Sequence, residues 1–254
     1  MTVYVCEDSF DGILCGVYDA WMSRKGHDHV RLEIDGTQEP ELFCQYEPVV
    51  ITPEKTEKVI RAIREKISER VYKKVYLASL SQEAGRADLI YRFLIDGFRY
   101  GGAVLDMLHL PSVFEIFRLC RFVLNESHLL KEFTRFSRTE GGLLISRIGP
   151  KNDVLPVLAL HFSDRMPSED WMIYDEGRKR AVFHRADQDW ILLRIGERGS
   201  EEWTDDLDME TDEESYRALW KMFCHTIAIP ERKNYVCQRS HLPLRYRPYM
   251  TEFQ

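Results

Sequence analysis

The hydrophobic positions of this chain keep two different periods. In the first part they recur at helical spacing. FDGILCGVYDAWMSRK (10–25) places Ile13, Leu14, Val17 and Trp21 on one face, and EKTEKVIRAIREKISERV does the same with Val59, Ile60, Ile63 and Ile67. Thr52-Pro53-Glu54 is a good start for that second helix, because proline is favoured in a first turn. Further helices are predicted over 84–99, 112–133 and 153–163, with Ser112 and Glu115 spaced as a capping box for the longest. VYVCE (3–7) and LFCQYEPVVI (42–51) read as strands, GHDHVRLEIDGTQEPE as a polar loop, and VYKKVYLASL (71–80) fits either a strand or a helix. GLLISRIG, DWMIYDE, RKRAVFHR and WILLRIG have a period of two and read as short strands of a small antiparallel sheet. DEESYRALWKMFCHTI (212–227) returns to a helical stripe of Tyr216, Leu219, Trp220 and Phe223, and an irregular, proline-interrupted tail follows. Strands and helices do not alternate regularly. The expected class is therefore α+β, mostly helical with a small antiparallel sheet in the C-terminal half. An N-terminal α/β segment is expected over 1–82 and a core region over 83–254.

Composition and charge change this picture in one respect. The formal charge is −7, which argues against a nucleic-acid partner, but it is unevenly spread. EEWTDDLDMETDEE (201–214) holds nine acidic residues and no Lys or Arg, so the rest of the chain carries +2. Either the run is a solvated loop, or it screens a basic surface. The six cysteines form no CxxC pair, and the HxH of His27 and His29 has no third ligand in view, so neither a metal nor a cofactor is expected. No apolar run is long enough for a membrane span. MTVYVCEDSF lacks a basic head and apolar core, so a cytoplasmic protein with reduced thiols is expected. GxSxG, HExxH, Walker A and GxGxxG signatures are absent from the sequence.

The candidate chemistry is cationic. In NESHLLKEFTRF (125–136), one helical line runs through Arg121, Leu124, His128, Lys131 and Arg135. Such a row can hold phosphates, or it can offset the negative end of a helix dipole without any ligand. In VLPVLALHFSDRM, His161 and Arg165 stand one turn apart. His161 fits an acid–base role, a phosphate contact or a buried structural histidine. Asp175, in IYDEGRKR, could orient a catalytic histidine or close a turn. The tail interleaves Arg232, Lys233, Arg239, Arg245 and Arg247 with Tyr235, Tyr246 and Tyr249, a pattern that fits backbone gripping and base stacking or simple anchoring of the tail.

Several separated blocks carry a resemblance. SFDGILCGVYDAW, NESHLLKEFTRF, NDVLPVLALHFSDRMPSEDWMIYDEGRKRAVFH, YRALWKMFCHTIAIPERKN and LPLRYRPYMTEF stand in the order and at about the spacing of a bacterial family assigned to DNA metabolism and repair, whose reaction is unknown. Relatives accompany a radical-SAM protein assigned to DNA modification, and the later blocks also occur fused to uracil-DNA-glycosylase-like domains. The resemblance implies a DNA- or nucleotide-binding accessory of a radical-SAM enzyme. On that reading Arg121, Lys131, Arg135, Arg165, Arg232 and Arg245 contact nucleic acid. An alternative is a nucleic-acid-processing enzyme with His128, His161 and Asp175 as its acid–base site. Another is a protein–protein adaptor. Where relatives often carry Trp after the Arg-Tyr of the tail, this chain has Arg247, which leaves a stacking role there unsupported.

Overall fold

The computed structural model describes residues 1–36, 41–195 and 212–254. The chain divides into two compact units, Met1–Leu124 and Asn125–Gln254. The fold is α+β and mostly helical, as expected. The boundary drawn at 82/83 falls inside the first unit, whose core continues through residues 87–120.

The first unit is built on a parallel three-stranded sheet of β1 (Thr2–Cys6), β2 (Val30–Ile34) and β3 (Gln45–Pro48), with β1 central. The sequence reading puts β2 in a polar loop because of its polar flanks, although Val30, Leu32 and Ile34 alternate with Arg31 and Glu33 at the period of a strand. In the fold these two charges pair with each other at 2.5 Å. Helix α1 (Phe10–Met22) is capped by Ser9, whose hydroxyl accepts from the Gly12 amide. It lies so close to the sheet that a Cβ on Gly16 would meet the Cys6 sulfur and, at 3.2 Å, Leu32. Helix α2 (Pro53–Lys66) begins at the expected Thr-Pro. The ambiguous segment is helix α3 (Glu69–Ser79). Its Ser68 hydroxyl caps the Val71 amide, and Val71, Val75 and Ala78 are buried at helical spacing. Helix α4 (Arg86–Tyr100) follows. Helix α5 (Pro111–Phe133) starts at Pro111, one residue before the expected cap, and the Ser112 hydroxyl donates instead to Asp96 at 2.5 Å.

The second unit holds the end of α5 and a five-stranded sheet ordered β4-β5-β6-β7-β8. The strands are Ser137–Arg138, Leu144–Ile148, Trp171–Asp175, Arg180–His184 and Ile191–Arg194. This sheet is mixed, not purely antiparallel, because β5 and β6 are parallel. The chain between them forms helix α6 (Leu155–Arg165), which serves as the crossover a parallel pair requires. Helix α7 (Glu213–Ile227) was expected to bury an apolar stripe, yet Tyr216, Leu219 and Phe223 are exposed among the described residues. Helix α8 (Tyr235–His241) and short 3-10 turns complete the tail. Most of the acidic run, 201–211, lies outside the described residues. Among the described residues, no helix is long and apolar enough to cross a membrane.

One buried carboxylate fastens the second unit. Glu126, on α5 and 4% exposed, accepts from the amides of Lys151 and Asn152 and from the Asn152 side chain. It also accepts from Arg245 at 2.8 Å and the Tyr246 hydroxyl at 2.9 Å. Burial alone would raise its pKa, but these donors outweigh burial and hold it below the usual range. Glu252, bonded by Arg135 and Trp220, and Glu213, bonded by the Arg138 amide, Ser137 and Arg217, are lowered in the same way.

Packing and charge each set an expectation for stability. Gly16→Ala should destabilise the first unit by about 1–3 kcal/mol through overpacking, measured by urea unfolding. Glu126→Ala should cost about 3–5 kcal/mol because it leaves a buried set of donors without an acceptor. Carboxylates lowered by folding stabilise the chain above their unfolded pKa, and this stability is lost as the pH falls through the folded value. The melting temperature should therefore drop below about pH 4.3. The drop should be shallower in Glu126→Gln, as read by circular dichroism across a pH series.

Candidate functional site

The sequence row and the α6 pair converge on one cavity. A cleft of about 520 Å³ in the second unit is walled by His128, Lys131, Arg135, Phe136, His161 and Arg165, together with Glu132, Thr134, Phe162 and Met166. Helix α5 supplies His128 and Lys131, and helix α6 supplies His161, with Arg165 as its last residue. Phe136 packs edge-on against Phe162 at 5.2 Å, and Phe162 reaches Trp171 at 6.2 Å, so the apolar wall is anchored in the sheet. The volume lies in the ordinary range for small-ligand sites.

The cationic side chains differ in how far they are already committed. Arg135 lies past the end of α5. Its guanidinium donates to the Glu132 and Thr134 carbonyls, pairs with Glu252 at 2.8 Å and sits 5.4 Å from the Trp220 ring centre. This residue neutralises a helix end and a carboxylate. Lys131 and Arg165 have neither an ion pair nor a hydrogen bond to the described residues. His128 is 74% exposed and contacts Glu132 at 3.3 Å. His161 is held below its ordinary pKa by burial and by the nearby charges of Lys131 and Arg165, which Asp164 opposes only in part. Its imidazole is therefore neutral at neutral pH and can accept a proton or, in the other tautomer, donate a hydrogen bond.

The remaining sequence candidates stand elsewhere. Asp175 does not line the cavity. Its buried carboxylate accepts from the Gly177 and Arg178 amides and pairs with Arg178, closing a turn. Burial raises its pKa against the pull of Arg178. Arg245 is committed to Glu126. Arg121 is exposed on the first-unit part of α5, and Arg232 is exposed in a 3-10 turn. Glu252, which occupies Arg135, gave no sequence signal beyond being one of two acids in a basic tail. Met166 gave none either, being one apolar residue at a helix end.

No metal centre emerges among the described residues, where no group of three His, Cys, Asp or Glu side chains could hold an ion. In the HxH loop, the His27 Nδ1 makes a 2.8 Å hydrogen bond with the Tyr91 hydroxyl, and its ring stands edge-on to Trp21 at 4.8 Å. All six cysteines are free.

No curated protein matches the chain. A family model described as a domain of unknown function, DUF4130, matches residues 84–252, which is more than half of the chain. The match begins inside the first compact unit and runs through the whole cavity. The chain belongs to the DUF4130 family.

Proposed function

We propose that this protein acts in DNA metabolism or repair as a DNA- or nucleotide-binding accessory of a radical-SAM enzyme, with the second-unit cavity as its phosphate site. The DNA and radical-SAM assignments come from the sequence resemblance. The observation that carries the binding reading is that Lys131 and Arg165, both without partners among the described residues, open into one cavity with two histidines and an aromatic wall. Ammonium and guanidinium groups donate to phosphate oxygens, and imidazoles add donors, while phenyl rings accept the flat face of a base. The contact set is narrower than the six residues chosen from sequence. Lys131 and Arg165 remain as phosphate ligands, whereas Arg135 and Arg245 hold the fold together.

An enzymatic reading is favoured by one specific feature, the neutral His161 between two cations. That environment keeps the imidazole unprotonated and available as a general base, and its conjugate acid gives up the proton readily. Without Asp175 beside it, His161 would work with the cavity cations, not in an Asp–His pair.

Two measurements test the site. Fluorescence anisotropy with short single- and double-stranded DNA over a salt series should show salt-dependent binding. Lys131→Ala and Arg165→Ala should each weaken it about tenfold or more, and each should flatten the salt slope by about 0.7–0.9 for every phosphate left without its cation. Neither variant should change unfolding stability beyond about 0.5 kcal/mol, since both side chains stand free of the fold's ion pairs. Absence of binding at low salt would defeat the proposal. In an NMR titration, His161 should have a midpoint below about 6.5, and Lys131→Met should move it upward by removing a neighbouring positive charge.

A further inference from the structure

Resting on the phosphate-site reading, we infer that this cavity takes a terminal phosphate monoester with its nucleoside, at the end of a strand or on a free nucleotide, and not the internal phosphodiesters of a continuous strand. The argument begins with charge. A phosphodiester carries one negative charge, whereas a monoester carries about 1.5 to 2 near pH 7. Two full positive charges, Lys131 and Arg165, face the cavity without partners among the described residues, and they match the second value. His161 stands beside them as an uncharged hydrogen-bonding group whose protonation a bound dianion would favour, and His128 adds a second imidazole to the wall.

The second argument is what surrounds the cavity. Affinity for a continuous strand is built from many phosphate contacts, which need a rail of available cations. Several arginines of this unit are already engaged. Arg135 binds Glu252, Arg245 binds Glu126, Arg180 binds Asp153 and Arg217 binds Glu213. Lys151, Lys179, Arg185, Arg232 and Arg239, which have no ion pair among the described residues, do not line the cavity. Glu132, on the wall next to His128, would repel any phosphate on that side, which leaves Lys131 and Arg165 to hold the dianion. Within the cavity wall the unpaired positive charge is confined to Lys131 and Arg165, and Phe136, Phe162 and Met166 line the same cavity with an apolar wall for the nucleoside.

The test uses the full-length protein and fluorescent 12-nucleotide single strands that carry a 5′-phosphate, a 3′-phosphate or hydroxyls at both ends. A phosphorylated end should bind about ten- to a hundredfold more tightly than a hydroxyl end, the range expected for one or two charge-assisted contacts. Lys131→Ala with Arg165→Ala should bring the phosphorylated strand down to the hydroxyl level. Competition by thymidine monophosphate, but not thymidine, would show that a free nucleotide suffices. Failure of the monophosphate to compete with the phosphorylated end would place the ligand at strand termini. Equal affinity for phosphorylated and hydroxyl ends, still sensitive to the double substitution, would overturn this inference and leave the phosphate-site reading intact. No binding of any strand at low salt would overturn both.

Discussion

The second unit depends on a carboxylate that has no direct contact with the candidate ligand site. Glu126 is buried at the start of the α5 segment that carries His128 and Lys131. It accepts hydrogen bonds from the turn that precedes α6 and from the Arg245-Tyr246 pair of the tail. A buried anion with one donor would be unstable in low dielectric. With several donors it is held charged, and every donor fixes a different stretch of chain. The consequence is geometric. Lys131 lies five residues along α5 from Glu126, while His161 and Arg165 sit on the helix whose entrance Glu126 holds. One interaction therefore sets both walls of the cavity in register.

Charge pairing then decides which cations remain for a ligand. Basic residues at helix C-termini are stabilising without any bound anion, so their presence at the ends of α5 and α6 has two explanations. The structure separates them residue by residue. Arg135 bonds the last carbonyls of α5 and is fixed from its other side by Glu252, with Trp220 bonded to the same carboxylate. It satisfies the dipole explanation. Lys131 and Arg165, in the last turns of α5 and α6, also face the negative helix ends, but neither bonds a carbonyl or a carboxylate among the described residues, so their donors stay open to a ligand.

The sequence exposed the parts of this arrangement that lie on one element. The helical spacing of His128 and Lys131, and of His161 and Arg165, was legible, as were the long helices and the period-two strands. Their convergence was not, because it depends on the α6 crossover, and a crossover follows from the parallel pairing of β5 with β6. The continuous burial of β6 suits a strand covered on both faces, but such a run does not say which strand it pairs with. Strand β2 was legible in the alternation of Val30, Leu32 and Ile34 with Arg31 and Glu33, but its polar flanks drew it into a loop reading. The roles of Arg245 and Asp175 were also out of reach. A buried partner such as Glu126, or a turn such as Asp175-Glu176-Gly177-Arg178, gives the same residue types as a binding site. Only burial and distance tell them apart.

His161 shows how the parts act together. Its lowered basicity arises from partial burial against Phe162 and from two neighbouring charges that the fold leaves unpaired. Pairing either cation with a carboxylate, as Arg135 is paired, would restore the histidine toward its usual value and fill the site with an internal ion pair. An anion entering from solvent would have the same electrostatic effect on the histidine as such a carboxylate. Two positive charges and a histidine of lowered basicity thus share one cavity, and the histidine's basicity reports on whether those charges are balanced.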